Sequence, residues 1–192
     1  MKVLLLFSVF LVAAWAQQPV PCEVPNTWHA TQIQMDITKK FAERAHISYD
    51  AINQRIRKVE EVYFNEDREY YDVLWLHNEG MEYRLNLRTK MCNVTALTRP
   101  FRKIGIPANA KSGGEAYIGS AVANDGVLVS LWSETTEQGA KYYGSWTYPA
   151  CVPVSDYFYD SSVGLVQTHF YNVEVGISDP NRFIPPMECK KP

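Results

Sequence analysis

The chain has 192 residues, with 19 Lys+Arg against 21 Asp+Glu, 46% hydrophobic and 13% aromatic residues. That composition excludes a disordered or collagen-like chain and suits a single globular domain. A formal charge of −2, with no block of like charges, gives no electrostatic footprint for nucleic acid or an anionic membrane surface, so no nucleic-acid partner is expected.

At the N-terminus Lys2 precedes the apolar run Val3–Val12, and Ala14-Trp15-Ala16 supplies an A-x-A cleavage pattern. Residues 1–16 read as a secretory signal peptide and residues 17–192 as one mature β domain. The apolar run is shorter than the ~20 residues of a spanning helix, and no later segment is apolar enough to span. No transmembrane anchor is therefore expected. Cys22, Cys92, Cys151 and Cys189 remain in the mature chain, an even number in an oxidising compartment, which argues for two disulfides. Three pairings are possible, and with no C-x-x-C the zinc-ribbon and thioredoxin-like readings lose support. Asn93-Val94-Thr95 is an N-x-[ST] sequon, so Asn93 is the expected glycosylation site, on a water-facing segment beside Cys92.

After Pro19-Val20-Pro21-Cys22 the pattern is almost everywhere of period two. Ile33, Met35 and Ile37 alternate with Gln32, Gln34 and Asp36; Met81, Tyr83, Leu85 and Leu87 alternate with Glu82, Arg84, Asn86 and Arg88. Val127, Val129 and Leu131, then Tyr157 and Tyr159, then Leu165 through Ile177 continue it in β-branched and aromatic segments. Turn chemistry falls between them at Asn65-Glu66-Asp67, Asn78-Glu79-Gly80, Asn124-Asp125-Gly126, Glu137-Gln138-Gly139 and Asp160–Gly164. In Ala51–Glu61 the helical spacing of Ile52, Ile56 and Val59 competes with the strand pattern of Val62 and Phe64, and a long strand is the reading taken. Residues 97–112, with two prolines and no alternation, read as a long connection crossing the sheet. About ten antiparallel strands without internal repeats predict an all-β single domain, one large curved sheet or half-open barrel whose concave face can enclose an apolar cavity.

Catalytic signatures are missing. Residues 105–112 resemble a Walker A loop, but Ala110 replaces the second glycine and Pro107 interrupts it. His29, His46, His77 and His169 form no H-x-x-x-H or H-E-x-x-H pair, Ser120 and Ser145 lie in no G-x-S-x-G, and Asn65–Glu69 lacks the glycine and helices of a calcium loop. The chain is therefore read as a non-enzyme that requires no cofactor. What stands out is the density of large apolar side chains. In Tyr70–Leu76 and Tyr142–Tyr148 both strand faces are apolar or aromatic, so one face covers a core while the other needs a ligand, a partner chain or more protein. The residues expected to line a ligand pocket are Val73, Trp75, Met81, Tyr83, Leu85, Leu87, Trp132 and Trp146.

Several segments together resemble the ependymin-related secreted glycoproteins: Ser48–Arg57 followed by Glu60-Glu61, Cys92–Thr95, Pro149–Val154, and Ile177–Pro180 before Phe183 and Cys189. The resemblance spans essentially the whole mature chain. It implies a strongly curved antiparallel sheet similar to bacterial lipoprotein carriers, around a deep hydrophobic pocket, often in a homodimer. It also implies a binder of lipids or other hydrophobic molecules that is secreted or lysosomal, with Cys22 paired to Cys151 and Cys92 to Cys189. Calcium association is implied for the family, although no metal ligand can be named here. The alternative reading is a calcium-associated matrix or adhesion glycoprotein acting through its surface.

Overall fold

The computed structural model describes residues 20–122 and 124–190. The expected signal peptide, residues 1–16, lies outside the described residues. Among the described residues eleven strands follow one another: β1 (Thr27–Asp36), β2 (Phe41–Asp50), β3 (Arg55–Phe64), β4 (Asp67–Leu76), β5 (Met81–Asn86), β6 (Cys92–Ala96), β7 (Lys111–Gly119), β8 (Gly126–Thr135), β9 (Lys141–Thr147), β10 (Pro153–Asp160) and β11 (Gly164–Val175). The 3₁₀ turns Pro180–Phe183 and Met187–Lys190 end the described chain.

All these strands join one antiparallel sheet in the order β6-β5-β4-β3-β2-β1-β11-β10-β9-β8-β7. Hairpins account for every neighbour except the pairing of the first strand with the last, β1 with β11. The sheet is not closed: β6 and β7, consecutive in sequence, are its two edges. Asn65, Gly80 and Asn124 take the positive φ that tight turns demand, at 56°, 66° and 65°.

Residues 97–110 therefore connect opposite edges of the sheet. Ten inter-strand steps at ~4.8 Å make about 48 Å if the sheet were flat, and about 14 residues reach about 50 Å only when fully stretched. The connection is not stretched. Ala110 turns back to the Pro107 carbonyl, while Phe101, Ile104, Ile106 and Ala110 pack into buried clusters. The sheet must curve toward the connection, which runs as a chord across the concave side, here the inner face.

Burial follows this curvature. Trp28, Ala30, Gln32 and Asp36 of β1 and their neighbours Glu43, Ala45, Ile47 and Tyr49 of β2 are buried, whereas Arg44 and His46 between them are exposed. The register thus turns Gln32 and Asp36 inward. Ile33 and Met35 stay half-buried, and Ile37, in the hairpin turn, is 74% exposed. The long strand expected over Ala51–Glu61 is corrected at its start, since Ala51–Gln54 is a turn with Ile52 exposed and β3 begins at Arg55. The Asp50 carboxylate closes that turn, accepting from the Asn53 backbone N–H at 3.0 Å and from Arg55 Nε at 2.8 Å. Such local bonding outcompetes strand continuation.

Two inner clusters support the connection. In the first, Trp28 stacks on Tyr49 with ring centroids 5.0 Å apart and meets Phe170 edge-on at 5.7 Å, while Phe101 and Ile104 cover them. In the second, Trp132, Trp146, Val24 and Cys151 are buried beneath Ile104 and Ile106. Gly144 lies between these tryptophan positions because a Cβ there would overlap Tyr142 Oη, which accepts from Trp146 Nε1 at 2.9 Å. On the outer face Leu74, Leu76 and Phe183 form a third cluster. Arg57 holds the C-terminal segment over it, donating to Asp72 at 2.7 Å and to the Arg182 carbonyl at 2.7 Å.

Cys22 is bonded to Cys151 and Cys92 to Cys189, the pairing that the family resemblance implies. The first ties the N-terminal arm to the β9–β10 turn; the second ties β6 to the C-terminal 3₁₀ turn. Bridging separations of 129 and 97 residues, each contributes about 4–5 kcal/mol on the chain-entropy account.

Candidate ligand cavities

The inner cavity, about 440 Å³, lies where the connection passes over β1–β4. Cross-strand register builds its floor: Tyr49 faces Ile56 and Ile56 faces Trp75, while Ile47 faces Lys58. Ile47, Ile56 and Trp75 supply the apolar surface, and Pro100 and Ile104 of the connection form the roof. Arg99 and Arg102, both exposed, border the open side, and His77 lies beside them. The Arg99 guanidinium sits 5.0 Å above the Trp75 ring and 3.9 Å from Glu82. His77 packs edge-on against Phe101 at 5.2 Å, and burial holds its imidazole below the ordinary range.

Farther along the same face, beyond Lys58 of the cavity, the side chains are ionic. Lys58 Nζ lies 2.6 Å from Glu43 and Arg84 3.1 Å from Glu60, with Arg84 also 4.2 Å over the Tyr71 ring. Burial, reinforced by the like charge of Glu43 and only partly opposed by Lys58 and Arg84, pushes the Glu60 carboxyl up to about 7. Burial likewise raises Asp156 against the hydrogen bond from Thr168. Two polar atoms of cavity residues, Gln32 Oε1 and Trp75 Nε1, are buried without a hydrogen-bond partner among the described residues.

A second hollow of about 470 Å³ opens on the outer face, over β7–β10. A third, about 550 Å³, is a polar depression around the β8–β9 turn that includes Glu134, Glu137 and Gln138.

The eight residues expected to line a pocket divide between the faces. Trp75 lines the inner cavity. Val73, fully buried, stands opposite Lys58 and Arg84 on the inner face, while Trp132 and Trp146 belong to the second inner cluster. Trp132 also contributes to the outer hollow. Met81, Tyr83 and Leu85 pair with Leu76, Leu74 and Asp72, which places them on the outer face, and Leu87 lies in the β5–β6 turn. Ile47, Ile56, Arg99, Arg102 and Ile104 were not among the expected residues. The signal for the last three was the crossing segment itself.

Among the described residues no group of three or more His, Cys, Asp or Glu could hold a metal ion, and no helix is long and apolar enough to cross a membrane.

The ependymin family model matches residues 65–189. The chain belongs to the ependymin family. It is 31% identical over 189 residues to an ependymin of Notemigonus crysoleucas, covering 96% of this chain and 86% of that one. It is 28% identical over 175 residues to mammalian ependymin-related protein 1 of Rattus norvegicus, covering 90% and 77% respectively. A crystal structure of an uncharacterized conserved protein from Thermus thermophilus superposes with a TM-score of 0.56 over 86% of this chain and 88% of that one, at 10% identity. At that identity the likeness concerns the fold alone. Within this ependymin-family chain the matched region runs from the β3–β4 turn through Cys189, so it contains the whole connection and every strand of the outer hollow, β7 to β10.

Proposed function

We propose that this ependymin-family chain is a secreted glycoprotein that holds a lipid or other hydrophobic molecule in the inner cavity, without catalysis. The observation carrying this reading is the cavity between curved sheet and connection, with Ile47, Ile56, Trp75 and Ile104 inside and arginines at its open side. An acyl chain would replace water against those four side chains, at about 0.8 kcal/mol per buried methylene. Arg99 and Arg102 suit a polar end that stays near water. Two long-range disulfides support an oxidising compartment, and Asn93 is exposed on edge strand β6, accessible to a glycan.

The test is displacement of a fluorescent fatty acid by unlabelled fatty acids of increasing length. Affinity should rise with each methylene until the cavity is full and then level off. Ile104→Asp, which puts a carboxylate in the roof, should weaken binding at least tenfold in protein that is still secreted. Affinity independent of chain length and of Ile104→Asp rejects the reading.

A further inference from the structure

We propose that the outer hollow is a second ligand site, separate from the inner cavity, for an uncharged hydrophobic small molecule bearing at most a hydroxyl. The two spaces lie on opposite faces of the sheet and share no lining residue among those described. Cross-strand pairs build the outer one: Ala116 faces Val129, Leu131 faces Ser145, Ser145 faces Ser155 and Tyr143 faces Tyr157. Val129, 1% exposed, lies at its floor, and Tyr143, 54% exposed, stands at its rim. At the β7 irregularity Gly113 also lines the hollow, and a Cβ there would press to 3.3 Å from Leu131 Cβ.

The charge pattern names the ligand class. Among the described residues not one Asp, Glu, Lys, Arg or His lines the outer hollow, whereas Lys58, His77, Arg99 and Arg102 line the inner cavity. A carboxylate or phosphate entering the outer hollow would lose hydration with no partner to replace it. The polar lining is made of hydroxyls, foremost Ser145 and Ser155, whose oxygens lie 2.7 Å apart and already bond to one another. Between them they keep one O–H donor and free acceptor lone pairs, which a ligand hydroxyl can engage as both acceptor and donor. At about 470 Å³ the hollow is of small-molecule size. A stable protein partner would need ~800 Å² of surface on each side, far more than this hollow offers.

The test titrates the full secreted protein with dehydroergosterol, a fluorescent uncharged sterol with one hydroxyl, in the presence and absence of saturating fatty acid. Saturable binding of one sterol per chain, undiminished by fatty acid, is the expected result. Ala116→Trp fills the hollow from an exposed position on an edge strand and should weaken sterol binding at least tenfold. The melting temperature should stay close to that of the parent. Leu131→Asp should do the same by placing a carboxylate in the wall. Absence of saturable sterol binding overturns the proposal. So does sterol that fatty acid displaces and Ala116→Trp ignores, because the inner cavity is then the single site. Ala116→Trp that converts a self-associated parent to monomer without touching sterol affinity also overturns it, assigning the hollow to a second copy. Because the sterol readout does not require fatty acid to bind, failure of the inner-cavity reading and failure of this one are distinguishable.

Discussion

The Tyr49 hydroxyl accepts a hydrogen bond from the Ile104 backbone N–H at 3.0 Å, across 55 residues of sequence. Tyr49 is fully buried on β2, stacked on Trp28 and 5.9 Å from Phe101. One side chain thus anchors the connection at the point where it roofs the inner cavity. Burial raises the phenol's pKa, more than the Ile104 bond lowers it, so the hydroxyl remains neutral through the physiological range.

Tyr49→Phe keeps the ring and removes the acceptor. The Ile104 N–H then loses its partner, at a cost of about 1–3 kcal/mol. Hydrogen exchange should accelerate at Ile104 and its neighbours in the connection, with the β1–β2 amides little changed. Unaltered exchange at Ile104 would show that packing of Phe101 and Ile104 alone holds the roof.

Glu60 gives a signed pH dependence. Its carboxyl is raised in the folded protein from 4.5 to about 7, so between those values the folded state holds a proton that the unfolded state has released. The contribution of this group to stability is fully present below about pH 4.5 and is lost as pH rises through about 7. The loss is on the order of 3 kcal/mol, at about 1.36 kcal/mol per pH unit. Glu60→Gln should therefore show a smaller fall in unfolding free energy than the parent between about pH 5 and 8, measured by urea denaturation. Parallel curves for parent and variant would place Glu60 near its ordinary range.

The Cys92–Cys189 bridge restrains the C-terminal segment over Leu74 and Leu76. Paired Cys92→Ser and Cys189→Ser replacement should cost about 2–5 kcal/mol and raise binding of a hydrophobic dye, as Phe183 leaves its buried place beside Leu74. Non-reducing peptide mapping of the parent should recover Cys22 with Cys151 and Cys92 with Cys189. A Cys22–Cys92 peptide would contradict both the pairing and the position of β6.

Thr95→Ala breaks the sequon while leaving Asn93 exposed on an edge strand. Mass spectrometry of the secreted variant should show loss of the whole glycan mass, with a melting temperature close to that of deglycosylated parent. A glycan persisting on the variant would place it elsewhere.

Much of the secondary structure was legible in residue order because each strand carries its own period-two pattern and each turn its own chemistry. Asn78-Glu79-Gly80 and Asn124-Asp125-Gly126 lie at hairpin turns, and the connection expected over residues 97–112 does cross the sheet, ending two residues earlier because β7 begins at Lys111. The Ala51–Gln54 turn was hidden because its signal is the Asp50 carboxylate bonding to Asn53 and Arg55, which looks in sequence like ordinary polar residues before a strand. The cavities were legible only as a surplus of apolar side chains. Alternation says that Met81, Tyr83 and Leu85 share a face, and equally that Val73 and Trp75 do, but it is unchanged when a strand is turned over. Pairing of β1 with β11 and the path of residues 97–110 decide that Trp75 and Gln32 point inward while Met81 and Ile33 point outward. Those are contacts between residues far apart in the chain, so local sequence determined the strands and their turns, and only the closing of the long loops determined which side of the sheet became the inside.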